Sequence, residues 1–337
     1  MPRLRRSDCT GPGIRRVRRG RGFSYEEEDG TRVDEPEVIE RIAELAIPPA
    51  WTEVWICPQA NGHIQATGFD AADRKQYLYH QRWREHRDRH KFERMLEFAT
   101  RLPAMRKQLD EDLSLRGMQE RRVLACVAKL LDLGFFRIGG ERYAEENASY
   151  GLATMRRKHV EVKKDRVLFD FPAKSAKRHV QEIADPTVLP TMRTLKNRRG
   201  GGQEIFAYRN GRGWSDVSSA DINEYLKVLT GDEFTAKDFR TWNATVLAAV
   251  AVAEKAEDKM SKTARKRVVN DAVKQVAEYL NNTPAVCRSA YIDPRVFDSF
   301  DSGQTIRPSL KRITGGADAG EFADREKIER AVLRLLS

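Results

Sequence analysis

The chain has 337 residues, of which 40% are hydrophobic and 33% are charged. These values are typical of a globular protein with two domains and exclude an intrinsically disordered chain. The longest apolar stretch, Ala244 to Ala253, is too short to span a bilayer, and the basic N-terminus is not followed by the apolar segment of a secretory signal. We therefore expect a cytoplasmic protein without a membrane partner.

The charge is strongly positive, with 61 Lys and Arg against 50 Asp and Glu, a net charge of +11 and a pI near 9.5. An excess of positive charge favours a polyanionic partner, such as nucleic acid. The alternative is a basic surface that is only solvated.

The cysteines and glycines give no sign of a disulfide framework or a cofactor. Cys9, Cys57, Cys126 and Cys287 are scattered, without a Cys-x-x-Cys pair, which also argues against a zinc site. No glycine-rich segment fits a nucleotide-binding loop, and no carboxylate cluster has the spacing of a metal site. We expect no cofactor and no metal.

The N-terminal quarter contains a basic segment and then short strands. Residues 1–22 hold eight arginines and one aspartate, so we expect a disordered tail that contacts phosphate groups or only adds solubility. Residues 23–90 contain a predicted amphipathic helix over 36–47 and strands over 51–56, 62–68 and 76–79, separated by Pro, Asn-Gly and Asp. We interpret residues 23–90 as a small, mainly β domain.

Residues 91–337 are predicted to form a larger, mainly α-helical domain. Apolar spacing indicates helices over 119–133, 219–229, 262–280 and 322–336, and Thr235 is a candidate N-cap of a helix that holds the alanine-rich stretch. Strands over 159–162, 167–171 and 178–183 interrupt the helices, the last two joined by a hairpin tip that includes Lys174. The fold class is therefore α+β, with a three-stranded sheet in the helical domain.

Five residues of this second domain have side chains suited to a metal-free attack on a phosphodiester: Arg137, Lys174, Arg240, Asn282 and Tyr291. A tyrosine supplies an oxygen nucleophile, and fixed positive groups stabilise charge on the phosphate in the transition state. Each residue alone has an ordinary alternative, because a tyrosine at a helix end is commonly a core residue and a hairpin lysine is commonly solvated. Arg137 is less ordinary, because an unpaired charge between two apolar residues is costly.

The segments around these residues resemble a known family. Phe135-Phe136-Arg137-Ile138-Gly139-Gly140, Phe171-Pro172-Ala173-Lys174, Lys237-Asp238-Phe239-Arg240 and Ser289-Ala290-Tyr291 resemble, in the same order, the bacterial and poxvirus-like type IB DNA topoisomerases. The resemblance runs from about Pro48 to beyond Tyr291. It implies a catalytic fold like that of tyrosine recombinases and type IB topoisomerases. It also implies an enzyme that relaxes supercoiled double-stranded DNA through a 3′-phosphotyrosyl intermediate, without ATP or a required metal.

The resemblance implies a role for each of the five residues. Tyr291 matches the nucleophile, Arg137 and Arg240 match the arginines that hold the scissile phosphate, and Lys174 matches the general acid for the leaving 5′-oxygen. Asn282 stands where the poxvirus members have a histidine. An amide donates hydrogen bonds but is not a general base, so we expect Asn282 to stabilise the transition state only. All six histidines lie at or before His179, so we expect no histidine base beside the tyrosine.

Four further residues match DNA contacts of the family: Arg142 and Tyr143 in the helical domain, and Tyr77 and Tyr79 in the N-terminal domain, which we expect to clamp DNA. We also expect a monomer that acts at the nucleoid.

Two alternatives stay open on the sequence alone. The first is a tyrosine recombinase, although recombinases usually have a histidine three residues before the second arginine, where this chain has Lys237. The second is a non-catalytic DNA-binding protein that uses the same basic surface.

Overall fold

The computed structural model describes residues 3–141, 144, 148–173, 177–211, 213–231, 233–257, 259–314 and 324–337. The chain divides into two compact units, Met1–Lys91 and Phe92–Ser337. Each unit encloses a hydrophobic cluster of its own. The division falls one residue from the domain boundary that the sequence suggested at residue 90.

The first unit is built on an antiparallel five-stranded sheet and a short helix. Its strands are β1 (Ile14–Arg19), β2 (Gly22–Glu26), β3 (Thr52–Ile56), β4 (Ile64–Phe69) and β5 (Lys75–Tyr79), in the spatial order β2-β1-β3-β4-β5. Helix α1 (Pro36–Glu44) contributes Ile42 to a core shared with Ile14, Val54 and Ile56 of the sheet. The structure confirms the predicted helix and the three predicted strands.

The expectation of a disordered tail over residues 1–22 is wrong, because β1 lies inside the sheet between β2 and β3. The guanidinium of Arg16 lies 4.2 Å from the ring centroid of Phe23. It donates hydrogen bonds of 3.2, 3.0 and 2.8 Å to three carbonyls after α1, those of Ile47, Pro48 and Trp51. Composition misled here because an arginine can occupy the core side of a strand when main-chain oxygens accept its donors.

The second unit is mainly helical, and its described residues include two small antiparallel sheets. Its helices are α2 (Gln81–Leu113), which begins in the first unit, α3 (Glu120–Leu133), α4 (Leu189–Asn197), α5 (Ser219–Thr230), α6 (Ala236–Lys255), α7 (Lys262–Leu280), α8 (Pro284–Ala290), α9 (Arg295–Asp301), α10 (Arg307–Thr314) and α11 (Arg325–Leu336). Strands β6 (Val160–Val162), β7 (Val167–Pro172) and β8 (Arg178–Ile183) form the sheet that the sequence predicted, in the order β6-β7-β8. The α+β fold class is confirmed.

A second hairpin, of β9 (Ala207–Asn210) and β10 (Gly213–Asp216), was not predicted. Its signal is the Asn210-Gly211 dipeptide, which favours a tight turn between antiparallel strands. Gly211 has φ +57°, a conformation that glycine adopts without strain.

The helix starts follow their capping residues. Thr235 caps α6 as predicted, accepting from the Lys237 N–H at 3.3 Å, while the Asp238 carboxylate accepts from the Thr235 N–H at 2.8 Å. Helix α5 begins at Ser219 as predicted, but the capping residue is Ser218. The cap at Thr235 fixes the start of α6 and so the direction of its fifth residue, Arg240.

Within the described part of the chain, no helix is long and apolar enough to cross a membrane. The same residues contain no group of three or more His, Cys, Asp or Glu side chains placed to hold a metal ion. The four cysteines are free thiols.

A buried ionic network joins α2, α3 and α11. Arg106 donates to Asp132 at 2.8 and 2.9 Å and to Glu329 at 2.7 and 2.8 Å. Arg325 donates to Asp132 at 3.1 Å, to Glu329 at 2.9 Å and to Asn243 of α6 at 2.8 Å. Burial opposes the charged form of Arg106, but the two carboxylates outweigh it and hold its pKa above the usual range. The network fixes the last helix to the core.

We predict that Arg106→Met destabilises the second unit by about 3–5 kcal/mol, because two buried carboxylates lose a cation. Arg166→Met is the matched control, since Arg166 pairs with Asp165 and Glu182 at the surface, where solvent screens the attraction and the pair adds little stability. Urea unfolding of both variants measures the difference. Equal losses would contradict a structural role for the network.

Candidate active site

Arg240 is a buried cation that joins three segments of the chain. It lies on α6, with 3% of its surface exposed. Its Nη1 donates to the carbonyl of Phe135, after α3, and its Nη2 donates to the carbonyl of Leu280, the last residue of α7, at 3.0 Å. The guanidinium is therefore fixed by main-chain oxygens rather than by a carboxylate, and its positive charge is not cancelled there.

Arg137 and Asn282 are joined by a hydrogen bond. Arg137 follows α3, and its Nη2 donates to the Oδ1 of Asn282 at 2.8 Å. Asn282 follows the end of α7, where Asn281 has a left-handed conformation with φ +51° and the Asn282 N–H donates to the Ala277 carbonyl at 3.0 Å. Because the amide oxygen accepts from Arg137, the amide NH2 group is left to donate elsewhere.

Two buried donors of this site have no acceptor among the residues that the structure describes. They are the Nε of Arg240 and the Nδ2 of Asn282. A buried donor without an acceptor costs about 1–3 kcal/mol. Such donors also occur elsewhere among the described residues, at Arg156, Arg198 and Trp242, and what distinguishes this site is that two of them lie together beside a cation. An anion with several oxygens, such as a phosphodiester, has the acceptors that these donors lack.

Tyr291 ends helix α8, whose first turn is capped by Thr283. The Tyr291 N–H donates to the carbonyl of Cys287 at 3.0 Å, and the side chain is half-buried. Its ring centroid lies 5.3 Å from the guanidinium carbon of Arg240. Four of the five candidate residues, Arg137, Arg240, Asn282 and Tyr291, are thus brought together from segments far apart in sequence.

The site is strongly electropositive. Burial, and then the nearby charge of Arg137, lower the pKa of Arg240 to about 10. Arg240 therefore stays cationic at neutral pH. Two cations held close together in a partly buried site attract an anion more strongly than exposed arginines do.

The hairpin of β7 and β8 packs beside the Arg137 segment. The ring of Phe136 lies 4.9 Å from that of Phe169 and 6.4 Å from that of Phe171, both on β7. The strands pair up to Pro172 and Arg178, and the Ala173 N–H donates to the Lys177 carbonyl at 2.8 Å. Lys174 lies outside the described residues, as do Arg142 and Tyr143, so their assignments stay predictions.

His179 on β8 is a residue near the site that sequence reasoning set aside. Its ring lies 5.3 Å from Phe171 and 6.2 Å from Phe136, and its Nε2 lies 3.2 Å from the Gln181 Oε1. Burial lowers its pKa, the Gln181 contact opposes this, and the charges of Arg240 and Arg137 lower it further. Only the pairing of β7 with β8 reveals this proximity, because His179 lies more than forty residues from either arginine.

Tyr77 and Tyr79 belong to the first unit and lie on β5, the edge strand of its sheet. Their rings stack with centroids 6.1 Å apart. The ammonium of Lys75 lies 5.9 Å from the Tyr77 ring, and the guanidinium of Arg87 lies 5.7 Å from the Tyr79 ring. These residues form an aromatic and basic surface.

Comparison with known proteins gives consistent matches over both units. The family model for the catalytic core of eukaryotic DNA topoisomerase I matches residues 80–306, and the model for the N-terminal domain of bacterial DNA topoisomerase IB matches residues 22–70. The chain is 32% identical over 288 residues to DNA topoisomerase 1B of Acanthamoeba polyphaga mimivirus, covering 83% of this chain and 85% of that protein.

Two other relatives are less similar to this chain than the mimivirus protein, one in identity and the other in the share of the chain that it matches. DNA topoisomerase 1B of vaccinia virus (strain Copenhagen) is 21% identical over 274 residues, 79% of this chain and 82% of that protein. DNA topoisomerase 1 of Daucus carota is 30% identical over 176 residues, 50% of this chain and 21% of that protein. The match to the plant protein therefore covers about a fifth of its length.

The fold, the site and these matches define an enzyme of DNA strand cleavage and rejoining. The chain belongs to the type IB DNA topoisomerases, with a bacterial-type N-terminal domain. It is a DNA topoisomerase of type IB.

We predict that Arg137→Ala raises the pKa of His179, because removing a nearby positive charge makes protonation of the imidazole easier. The pKa is read from the ring signals of His179 in an NMR titration with labelled histidine. Arg166→Ala, on the turn before β7, is the control and should leave the pKa of His179 in place. An unchanged pKa in Arg137→Ala would contradict the proximity of His179 to the site.

Proposed function

We propose that this topoisomerase relaxes supercoiled double-stranded DNA with Tyr291 as nucleophile and Arg137, Arg240, Asn282 and Lys174 as the groups that assist it. The observation that carries the proposal is the half-buried Tyr291 ring over the buried, cationic Arg240. Two buried donors beside them have no acceptor among the described residues. This arrangement supports attack on a bound phosphodiester better than a role in packing.

In the cleavage step, the Tyr291 oxygen forms a bond to the scissile phosphorus while the bond from phosphorus to the 5′-oxygen breaks. The products are a 3′-phosphotyrosyl strand and a free 5′-hydroxyl. Lys174 donates the proton that the 5′-oxygen takes up, which avoids expulsion of an alkoxide. Because the phosphotyrosyl bond keeps the energy of the broken ester, the same hydroxyl can reseal the strand without ATP.

The positive groups lower the barrier by stabilising charge on the non-bridging oxygens. Arg240 offers its free Nε and Asn282 its Nδ2, while Arg137 adds a second cation. Donors fixed before the reaction need no reorientation in the transition state, and removing one such donor typically costs about 10²- to 10³-fold in rate. The phenol proton leaves to water, and Arg240 favours the negative charge that develops on the tyrosine oxygen.

The DNA is held by contacts outside the reacting centre. Tyr77 and Tyr79 in the first unit, with Lys75 and Arg87 beside their rings, support a contact surface for the duplex. Arg142 and Tyr143 are proposed contacts in the second unit. A net charge of +11 supports binding that weakens as salt rises. The enzyme acts as a monomer on nucleoid DNA in the cytoplasm, without a membrane.

We predict that Tyr291→Phe lowers plasmid relaxation, measured without ATP or magnesium, by at least about 10³-fold, because the nucleophilic oxygen is gone. It also abolishes the covalent adduct to the 3′ end of the cut strand. Tyr208→Phe, which removes a hydroxyl from β9, is the matched control and should relax DNA like the parent. Equal relaxation by the parent and Tyr291→Phe would exclude Tyr291 as the nucleophile.

The role of Asn282 is tested by a pair of substitutions. Asn282→Asp keeps the oxygen that accepts from Arg137 but loses the NH2 donor, and Asn282→Ala loses both. If donation to the phosphate is the role, both variants lose about 10²-fold or more in single-turnover cleavage. DNA affinity, measured by fluorescence anisotropy, stays near the parent value in Asn282→Ala. Parent-like cleavage by Asn282→Asp would mean that Asn282 only holds Arg137.

A further inference from the structure

A buried hydroxyl lies behind the proposed nucleophile. Thr245 is on α6, five residues after Arg240, and is 0% exposed. Its Oγ1 donates to the main-chain carbonyl of Tyr291 at 3.3 Å and accepts from the N–H of Asp293 at 3.1 Å. One hydroxyl therefore holds the main chain on both sides of Ile292, the residue that follows Tyr291.

The segment after Tyr291 is fixed from its other side as well. Asp293 is 0% exposed, and its carboxylate accepts from the N–H, the Nε and the Nη2 of Arg295, the last at 2.7 Å. Arg295 also donates to the Leu336 carbonyl at the end of α11, at 3.0 Å. Arg295 binds the carboxylate of Asp293, while the hydrogen bonds of Thr245 join α6 to the main chain of Tyr291 and Asp293.

The main chain of Tyr291 sets the point and the direction from which its side chain leaves the backbone. The Tyr291 backbone leaves the helical conformation, with φ −129° and ψ −25°, and its ring lies over Arg240 on the same helix that carries Thr245. Helix α6 thus holds Arg240 and the Tyr291 backbone at a fixed spacing. A displacement of about 1 Å between reacting groups can cost about 10²-fold in rate.

The alternative is a purely structural role, in which the Thr245 hydroxyl is a buried polar group that merely has hydrogen-bond partners. A hydroxyl on a helix commonly bonds to a carbonyl of its own helix, as Thr241 does with Lys237 at 3.0 Å. Thr245 instead contacts the chain on either side of Ile292, and its other neighbour is the Met95 sulfur at 3.6 Å, a weak acceptor. Two hydrogen bonds to one distant segment favour a positioning role.

We propose that Thr245 is a positioning residue for DNA cleavage and rejoining, which sets the place of the Tyr291 oxygen relative to Arg240. This inference rests on the proposed function, because it requires Tyr291 to be the nucleophile. Loss of the hydroxyl raises the barrier in both directions, since cleavage and rejoining pass through the same geometry.

The test is Thr245→Val, which keeps the shape of the side chain and removes both hydrogen bonds. Single-turnover cleavage of a duplex oligonucleotide is expected to slow by about ten- to a hundredfold, and rejoining by the same factor. The cleavage equilibrium and the DNA affinity stay within about twofold of the parent, because neither depends on the transition state. Thr245→Ser, which keeps the hydroxyl, restores most of the rate.

Thr241→Val is the matched control, because Thr241 is a threonine on the same helix, 1% exposed, with its hydroxyl bonded within that helix. It should cleave at the parent rate. If Thr245→Val does not fold, Thr245→Ala makes the same deletion without a methyl group beside the Asp293 N–H.

The outcomes separate the two proposals. Parent-like cleavage by Thr245→Val, or a reduced amplitude at an unchanged rate, would overturn the role of Thr245, since a partly folded variant loses active molecules and not rate. An equal slowing in Thr241→Val would also overturn it. If Tyr291→Phe cleaves DNA at the parent rate, Tyr291 is not the nucleophile. The proposed function is then wrong, and the inference on Thr245, which depends on it, is wrong as well.

Discussion

The geometry of the site depends on one buried cation whose partners are main-chain oxygens. Arg240 donates to the carbonyl of Phe135, two residues before Arg137, and to that of Leu280, two residues before Asn282, and its guanidinium underlies the Tyr291 ring. Three separate segments are thereby held around one charge. Removing a cation from water costs desolvation free energy, and hydrogen bonds to carbonyls offset only part of it. The positive charge of Arg240 is therefore left without a counter-ion among its carbonyl partners, and it can stabilise a bound phosphate.

The elements that carry the site could be predicted from local sequence. The Thr235 cap predicted the start of α6, and apolar spacing predicted α7 to its observed bounds. Alternation around a polar turn predicted the β6-β7-β8 sheet. These signals are local, because a cap or a period is complete within a few residues. The choice of Arg137, Arg240, Asn282 and Tyr291 came from family resemblance, since each residue alone has a commoner structural explanation.

The contacts that organise these elements could not be predicted. The carbonyls that hold Arg240 lie 105 and 40 residues away in sequence, and a main-chain oxygen has no residue type that would mark it. In the sequence, Thr245 is one small residue of an alanine-rich helix. His179 was not expected near the site, because it lies far from Tyr291 in sequence. The prediction of a disordered tail over residues 1–22 was wrong for another reason. Composition measures apolar content but not the hydrogen bonds that a strand gains from its neighbours.

The position of β1 has a consequence for how the N-terminal residues can be altered. Because β1 is an interior strand, it separates β2 from β3 and covers one edge of each. A chain shortened as if these residues were a dispensable basic extension would leave two open strand edges in a five-stranded sheet. Open edges are templates for pairing between molecules, so the loss would appear first as self-association rather than as weaker attraction to a polyanion.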